Sequence, residues 1–134
     1  MLQIVYISTV APGVGESEVT AILAQSRRNN ADAGITGLLY FDGKRFMQAL
    51  EGSDLAVRTT LARIADDPRH RAMVTLSSRI IDQSEFGAWA MAARRTERDR
   101  DAVTDRIDQL VAGAAPVVRA HFEGFARIRP ATAA

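Results

Sequence analysis

The chain has 134 residues, of which 47% are hydrophobic and 25% charged, with no cysteine and a formal net charge of +1. That length suits one compact domain with at most a short appendage, and a core of this size needs no covalent staple. The missing cysteines exclude disulfides and thiol chemistry, and near-neutral charge with a single lysine, Lys44, argues against a nucleic-acid binder.

The segment Leu2–Ser8 is β-branched and aromatic and predicts a strand. Leu2, Ile4 and Tyr6 fall on one side of it and Val5 and Ile7 on the other, so it should be an interior strand covered on both faces. From Glu16 to Asn30, Val19, Ile22 and Leu23 recur at helical spacing. Carrying that stripe forward reaches Ser26 and Asn30, so the inward face of this helix turns polar at its end. Gly34–Phe41 and Lys44–Leu50 flank Asp42-Gly43 and predict a hairpin on a two-residue turn. That turn would set Leu39 opposite Phe46 and Gly37 opposite Gln48. One face would then carry Ile35, Gly37, Leu39, Phe46, Gln48 and Leu50, and the other Thr36, Leu38, Tyr40, Met47 and Ala49. An inward amide across from a glycine predicts a gap with a polar edge.

Ser53 caps a second predicted helix, Asp54 to Asp66, with Val57, Leu61 and Ile64 inward and Arg63 at the flank. Asp67-Pro-Arg-His70 ends it. Arg71–Ile81 and Trp89-Ala-Met91 complete the strands. The order predicts an α+β, ferredoxin-like sheet with two helices on one face. Val103, Ile107, Leu110 and Val111, then Val118, Phe122 and Phe125, mark two C-terminal helices suited to the other face. Thr96-Glu-Arg-Asp99 suggests a capping box, Gly113 a helix stop, Pro116 a first turn and Pro130–Ala134 a frayed tail. The expected division is a domain at 1–95 and a helical extension at 96–134.

The candidate chemistry narrows quickly. Gly13-x-Gly15 lacks the third glycine and the lysine of a phosphate loop. His70 and His121 are distant and have no acidic partner at ligand spacing, so no metal site is expected. No serine sits in a nucleophile elbow, and Asp66-Asp67 is most simply a helix end. What remains is a phenol and several amides on otherwise apolar walls: Tyr6, Ser26, Asn30 and Gln48, with Arg63, His70, Trp89 and Met91 near them in the expected fold. Burying such groups unpaired is costly, so they call for a polar ligand with an apolar body. A flat heteroaromatic ring with carbonyl and N–H edges answers that demand.

Asn29-Asn30-x-x-x-Gly34-Ile-Thr-Gly-Leu-Leu39, Phe46-Met-Gln-Ala-Leu-Glu-Gly52, Asp67-Pro-Arg-His70 and Phe86-x-x-Trp89-x-Met91 resemble the BLUF domain, a flavin-based blue-light sensor, over Met1 to about Arg95. Ser84-Glu85 stands where a basic residue is common in that family. The resemblance implies noncovalent FAD, or FMN or riboflavin with the same ring, between the two helices above the sheet. It implies that Asn30 bonds the ring edge, that Ser26 and Asn29 line that region, and that Arg63, Arg69 and His70 reach the rim. Tyr6 and Gln48 would form the photoactive pair, with Trp89 and Met91 on the last strand beside them. It further implies a switch and not an enzyme. The lack of a membrane-length run or basic leader predicts a cytoplasmic protein off the membrane, and near-neutral charge predicts no nucleic-acid partner. The apolar helical surfaces predict a homo-oligomer, and the lack of an effector domain a separate effector protein. The rival expectations are a small ferredoxin-like enzyme of acylphosphatase type and a ligand-binding regulatory module. The former needs an arginine-asparagine cradle after the first strand, which Ala11–Gly15 lacks.

Overall fold

The computed structural model describes residues 1–93 and 100–127. Its elements run β1 (Leu2–Val10), α1 (Glu16–Asp32), β2 (Thr36–Phe41), β3 (Arg45–Gly52), α2 (Asp54–Asp66), β4 (His70–Ile80), β5 (Trp89–Ala93), α3 (Arg100–Leu110) and α4 (Pro116–Arg127). The five strands form one sheet in the order β4-β1-β3-β2-β5. All neighbours are antiparallel except β2 and β5, which run parallel. The expected ferredoxin-like order is borne out, and β1 is interior, as its two apolar faces required. The expected boundary at residue 95, the Thr96–Asp99 capping box and the Pro130–Ala134 tail lie outside the described residues.

Alternation along each strand sorts the side chains into two cores. On one face Leu2, Ile4, Tyr6, Ile35, Leu50 and Val57 join beneath α2, and Val19, Ile22, Leu23, Leu39, Phe41 and Phe46 join beneath α1. On the other face Val5, Leu38, Tyr40, Met47 and Ala49 meet Val103, Ile107, Val111, Val118, Phe122 and Phe125. The C-terminal helices therefore cover the second face, and the rings of Tyr40 and Phe125 meet edge to face at 5.4 Å. Ser53 caps α2 as expected, its Oγ accepting from Ala56 N at 3.1 Å. Pro116 opens α4, where its missing N–H costs nothing.

The hairpin register differs from the expected one. Phe41 pairs with Phe46, Leu39 with Gln48 and Gly37 with Leu50. The reason is local: Asp42 turns its carboxylate back onto Lys44 N at 2.9 Å and Arg45 N at 2.6 Å. Asp42 N also donates to Arg45 O at 3.0 Å, so the turn centres on Gly43-Lys44, with Gly43 at φ +101°. The shift is two residues, and an even shift leaves every side chain on its expected face.

Strand β4 is irregular against β1, with register shifts between Val5 and Tyr6 and between Ile7 and Thr9. Such bulges bend an edge strand and re-aim its side chains. Ala72 sits in the second at φ +52°, the only positive φ among the described non-glycine residues. An L-residue held there is strained by about 1–2 kcal/mol, and the Ala72 side chain is exposed. Ala72→Gly is therefore expected to raise stability by about 1 kcal/mol, read as a higher urea midpoint at unchanged m-value.

Candidate functional site

Helices α1 and α2 lie side by side on the first face, and the cleft between them measures about 340 Å³ including its open mouth. Ile22, Gln25, Ser26, Asn29, Arg63, Ile64, Asp67, Arg69 and His70 line it. Five expected site residues, Ser26, Asn29, Arg63, Arg69 and His70, are thus brought together at one opening. Of the remaining five, Tyr6, Asn30 and Gln48 are buried and Trp89 and Met91 half-buried. Tyr6 and Gln48 belong to the strands under α2, Asn30 ends the inward stripe of α1, and Trp89 and Met91 come from β5.

Tyr6 and Gln48 face each other directly across the β1–β3 ladder. Their exposures are 1% each, and the Tyr6 hydroxyl donates to Gln48 Oε1. Burial pushes the phenol's pKa well above its ordinary value, so Tyr6 is a neutral donor at physiological pH. Gly37 lies diagonally from Gln48, not opposite it. The Ala49 carbonyl closes over the place of the missing Gly37 Cβ, and the Trp89 indole lies against the same spot, with Cζ3 3.4 Å from it. Trp89 also bridges the two apolar clusters of this face, while Met91 packs with the cluster under α1.

Asn30 is 1% exposed. Its backbone carbonyl accepts from Ile35 N at 2.8 Å, while α1 continues past it to Asp32. Its side chain is therefore not a helix cap. Among the described residues, three buried side-chain donors have no hydrogen-bond partner: Asn30 Nδ2, Gln48 Nε2 and Trp89 Nε1. Buried polar atoms are nearly always paired, and each orphan costs about 1–3 kcal/mol. All three orphans lie on the α1–α2 face.

At the mouth, Arg69 is held by Asp67 at 2.6 Å and donates to Gln25 Oε1 at 2.7 Å. The Arg69 hydrogen bond keeps the Asp67 carboxyl below the usual range. His70 contacts Ser8 Oγ through Nδ1 at 3.1 Å, and its ring lies 4.9 Å from that of Phe46 at a tilt of 51°. Burial lowers its pKa, so the ring is neutral at pH 7. Gln25, Asp67 and Ser8 were not anticipated. Only Asp67 left a signal, as the residue after a helix and two before an arginine.

The family model for BLUF, "Sensors of blue-light using FAD", matches residues 1–92. The chain belongs to the BLUF family. BLUF domains bind flavin and serve as blue-light sensor modules, and here the module carries two further helices on the opposite sheet face. Photoactivated adenylate cyclase subunit beta of Euglena longa is 31% identical over 93 residues, which are 69% of this chain and 11% of that protein. The blue light- and temperature-regulated antirepressor BluF of Escherichia coli is 29% identical over 99 residues, 72% of this chain and 25% of that one. The chain thus spans a quarter or less of these relatives. Among solved structures, the dark state of the BLUF protein BlrB superposes with a TM-score of 0.68 at 26% identity, covering 90% of this chain and 96% of that one. Klebsiella pneumoniae BlrP1, in a manganese and cyclic-diGMP complex, gives 0.74 at 28% identity, covering 94% and 33%. Among the described residues no helix is long and apolar enough to cross a membrane, and no cluster of His, Asp and Glu could hold a metal.

Proposed function

We propose that this BLUF chain senses blue light through a noncovalent flavin, FAD or another flavin such as FMN or riboflavin, seated between α1 and α2. The observation that carries this reading is the set of three orphaned donors, Gln48 Nε2 of the Tyr6–Gln48 pair with Asn30 Nδ2 and Trp89 Nε1, on one sheet face. A ring edged with carbonyl and imine acceptors, on an otherwise apolar body, would satisfy all three. Asn30 would bond the carbonyl edge, with Ser26 and Asn29 alongside. Arg63, Arg69 and His70 would contact the rim, with Trp89 and Met91 on the β5 side.

When bound, a flavin supplies absorption in the blue and an excited state that takes up an electron. Tyr6 would be the electron donor to it, with Gln48 Oε1, the atom its hydroxyl already donates to, placed to take the phenolic proton. Return of both electron and proton to Tyr6 would leave nothing consumed. The Gln48 amide, which holds both donor and acceptor atoms, is left rotated or tautomerised and presents a different group to the ring. Trp89 and Met91 share a face and compete for the place beside Gln48, so β5 carries the change toward α3 and α4. A separate effector, a homo-oligomeric assembly and a cytoplasmic setting complete the proposal. The test is a light-minus-dark spectrum of the purified chain loaded with flavin. A small, reversible red shift is expected, and a colourless protein that cannot be reconstituted overturns the reading.

A further inference from the structure

Three residues beyond Gln48 on β3, the Glu51 side chain is wholly buried on the opposite face of the sheet. A carboxylate without water is stable only when hydrogen bonds fill its lone pairs. Oε1 accepts from Ser84 Oγ at 2.7 Å, Thr36 Oγ1 at 3.0 Å and Phe86 N at 3.3 Å. Oε2 accepts from Glu85 N at 2.8 Å and Gln3 Nε2 at 3.1 Å. Thr36 belongs to β2 and Gln3 to β1. The other three donors all come from the β4–β5 connection. One carboxylate therefore fastens the sheet interior to the segment that launches β5.

That fastening, together with the Glu85 carboxylate that accepts from Gln3 Nε2 at 3.2 Å, Arg79 Nη1 at 3.2 Å and Ala115 N at 2.9 Å, sets the entry to β5. Strand β5 is a short edge strand, paired only with β2 from Gly37↔Trp89 to Phe41↔Ala93. Its entry is marked by a single bond, Gly37 N to Ala88 O, at 3.3 Å. Where residues 84–86 are held decides where Trp89 begins.

We propose that Glu51 is a positioning residue for the light-responsive site: its carboxylate pins residues 84–86 and so keeps the Trp89 indole over Gly37, beside the strand that carries Gln48. The light-responsive part of this inference rests on the flavin reading above. The pinning itself does not.

The test compares wild type with Glu51→Gln in the full chain. The amide sets a donor against donors and loses an acceptor oxygen, so hydrogen exchange at Glu85, Phe86 and Gly37 should speed up relative to Val5 and Ala49. The expected factor is about tenfold, that of one lost bond to a charged group. Acrylamide quenching of Trp89, the only tryptophan, should rise with it. In the flavin-loaded protein the dark recovery of the light-induced shift should be several-fold faster. A merely structural glutamate would lower protection throughout the sheet in proportion; an unchanged exchange ratio with unchanged quenching overturns the proposal. Thr36→Val removes one donor on the sheet side and leaves both the carboxylate and the bond from Gly87 N to Ser84 Oγ at 2.7 Å. It should move the same readouts in the same direction, less far, and it decides the matter should Glu51→Gln fail to fold. Exchange and quenching need no flavin, so a missing light shift in wild type would sink the flavin reading and leave the pinning to be judged separately.

Discussion

Tyr6→Phe should yield a yellow, folded protein whose light-minus-dark spectrum is flat. The substitution keeps the ring in its place under α2 and removes one atom, the oxygen that donates to Gln48 Oε1. Phenylalanine offers neither an accessible electron nor an exchangeable proton, so the amide has no reason to rearrange. Stability should fall by about 1 kcal/mol, the usual consequence of leaving one buried acceptor unpaired. Because burial keeps the Tyr6 phenol protonated, the wild-type signal should not titrate away at alkaline pH before the protein unfolds. Equal spectral shifts in wild type and mutant would remove Tyr6 from the mechanism.

Gly37→Ala is the substitution with the largest expected effect on stability. A Cβ at this position would stand 1.9 Å from the Ala49 carbonyl oxygen and 2.9 Å from its carbon. Those are backbone atoms of the neighbouring central strand and cannot swing aside. The residue also sits at φ +145°, where an L side chain is strained. Opening the β2–β3 ladder and displacing Trp89 should together lower stability by about 3 kcal/mol or more, measured by urea unfolding. A loss below about 0.5 kcal/mol, the range of an ordinary surface change, would mean that the strands part more readily than this packing implies.

What the sequence made legible was whatever is encoded locally. Alternation and helical spacing placed every strand and helix of the sensor domain, and the polar end of the α1 stripe flagged Ser26 and Asn30. The hairpin faces survived a wrong register because the error was even. The register itself was missed because Asp42 was read as a turn centre when its carboxylate makes it the residue before one. The direct facing of Tyr6 and Gln48 depends on β1 pairing with β3, a contact across 42 positions that no local pattern announces. Glu51 was hidden for the opposite reason. A charged residue near a strand end normally faces water, and only the return of residues 84–86 over it makes it interior.

Tyr6 and Gln48 stand on adjoining interior strands, each flanked on both sides by other strands. Neither main chain can retreat, so a change in their mutual bonding starts within the side chains and leaves the β1–β3 ladder in register. On the proposed reading, the pair should reset without refolding, and repeated illumination should exhaust neither the amplitude nor the speed of the response.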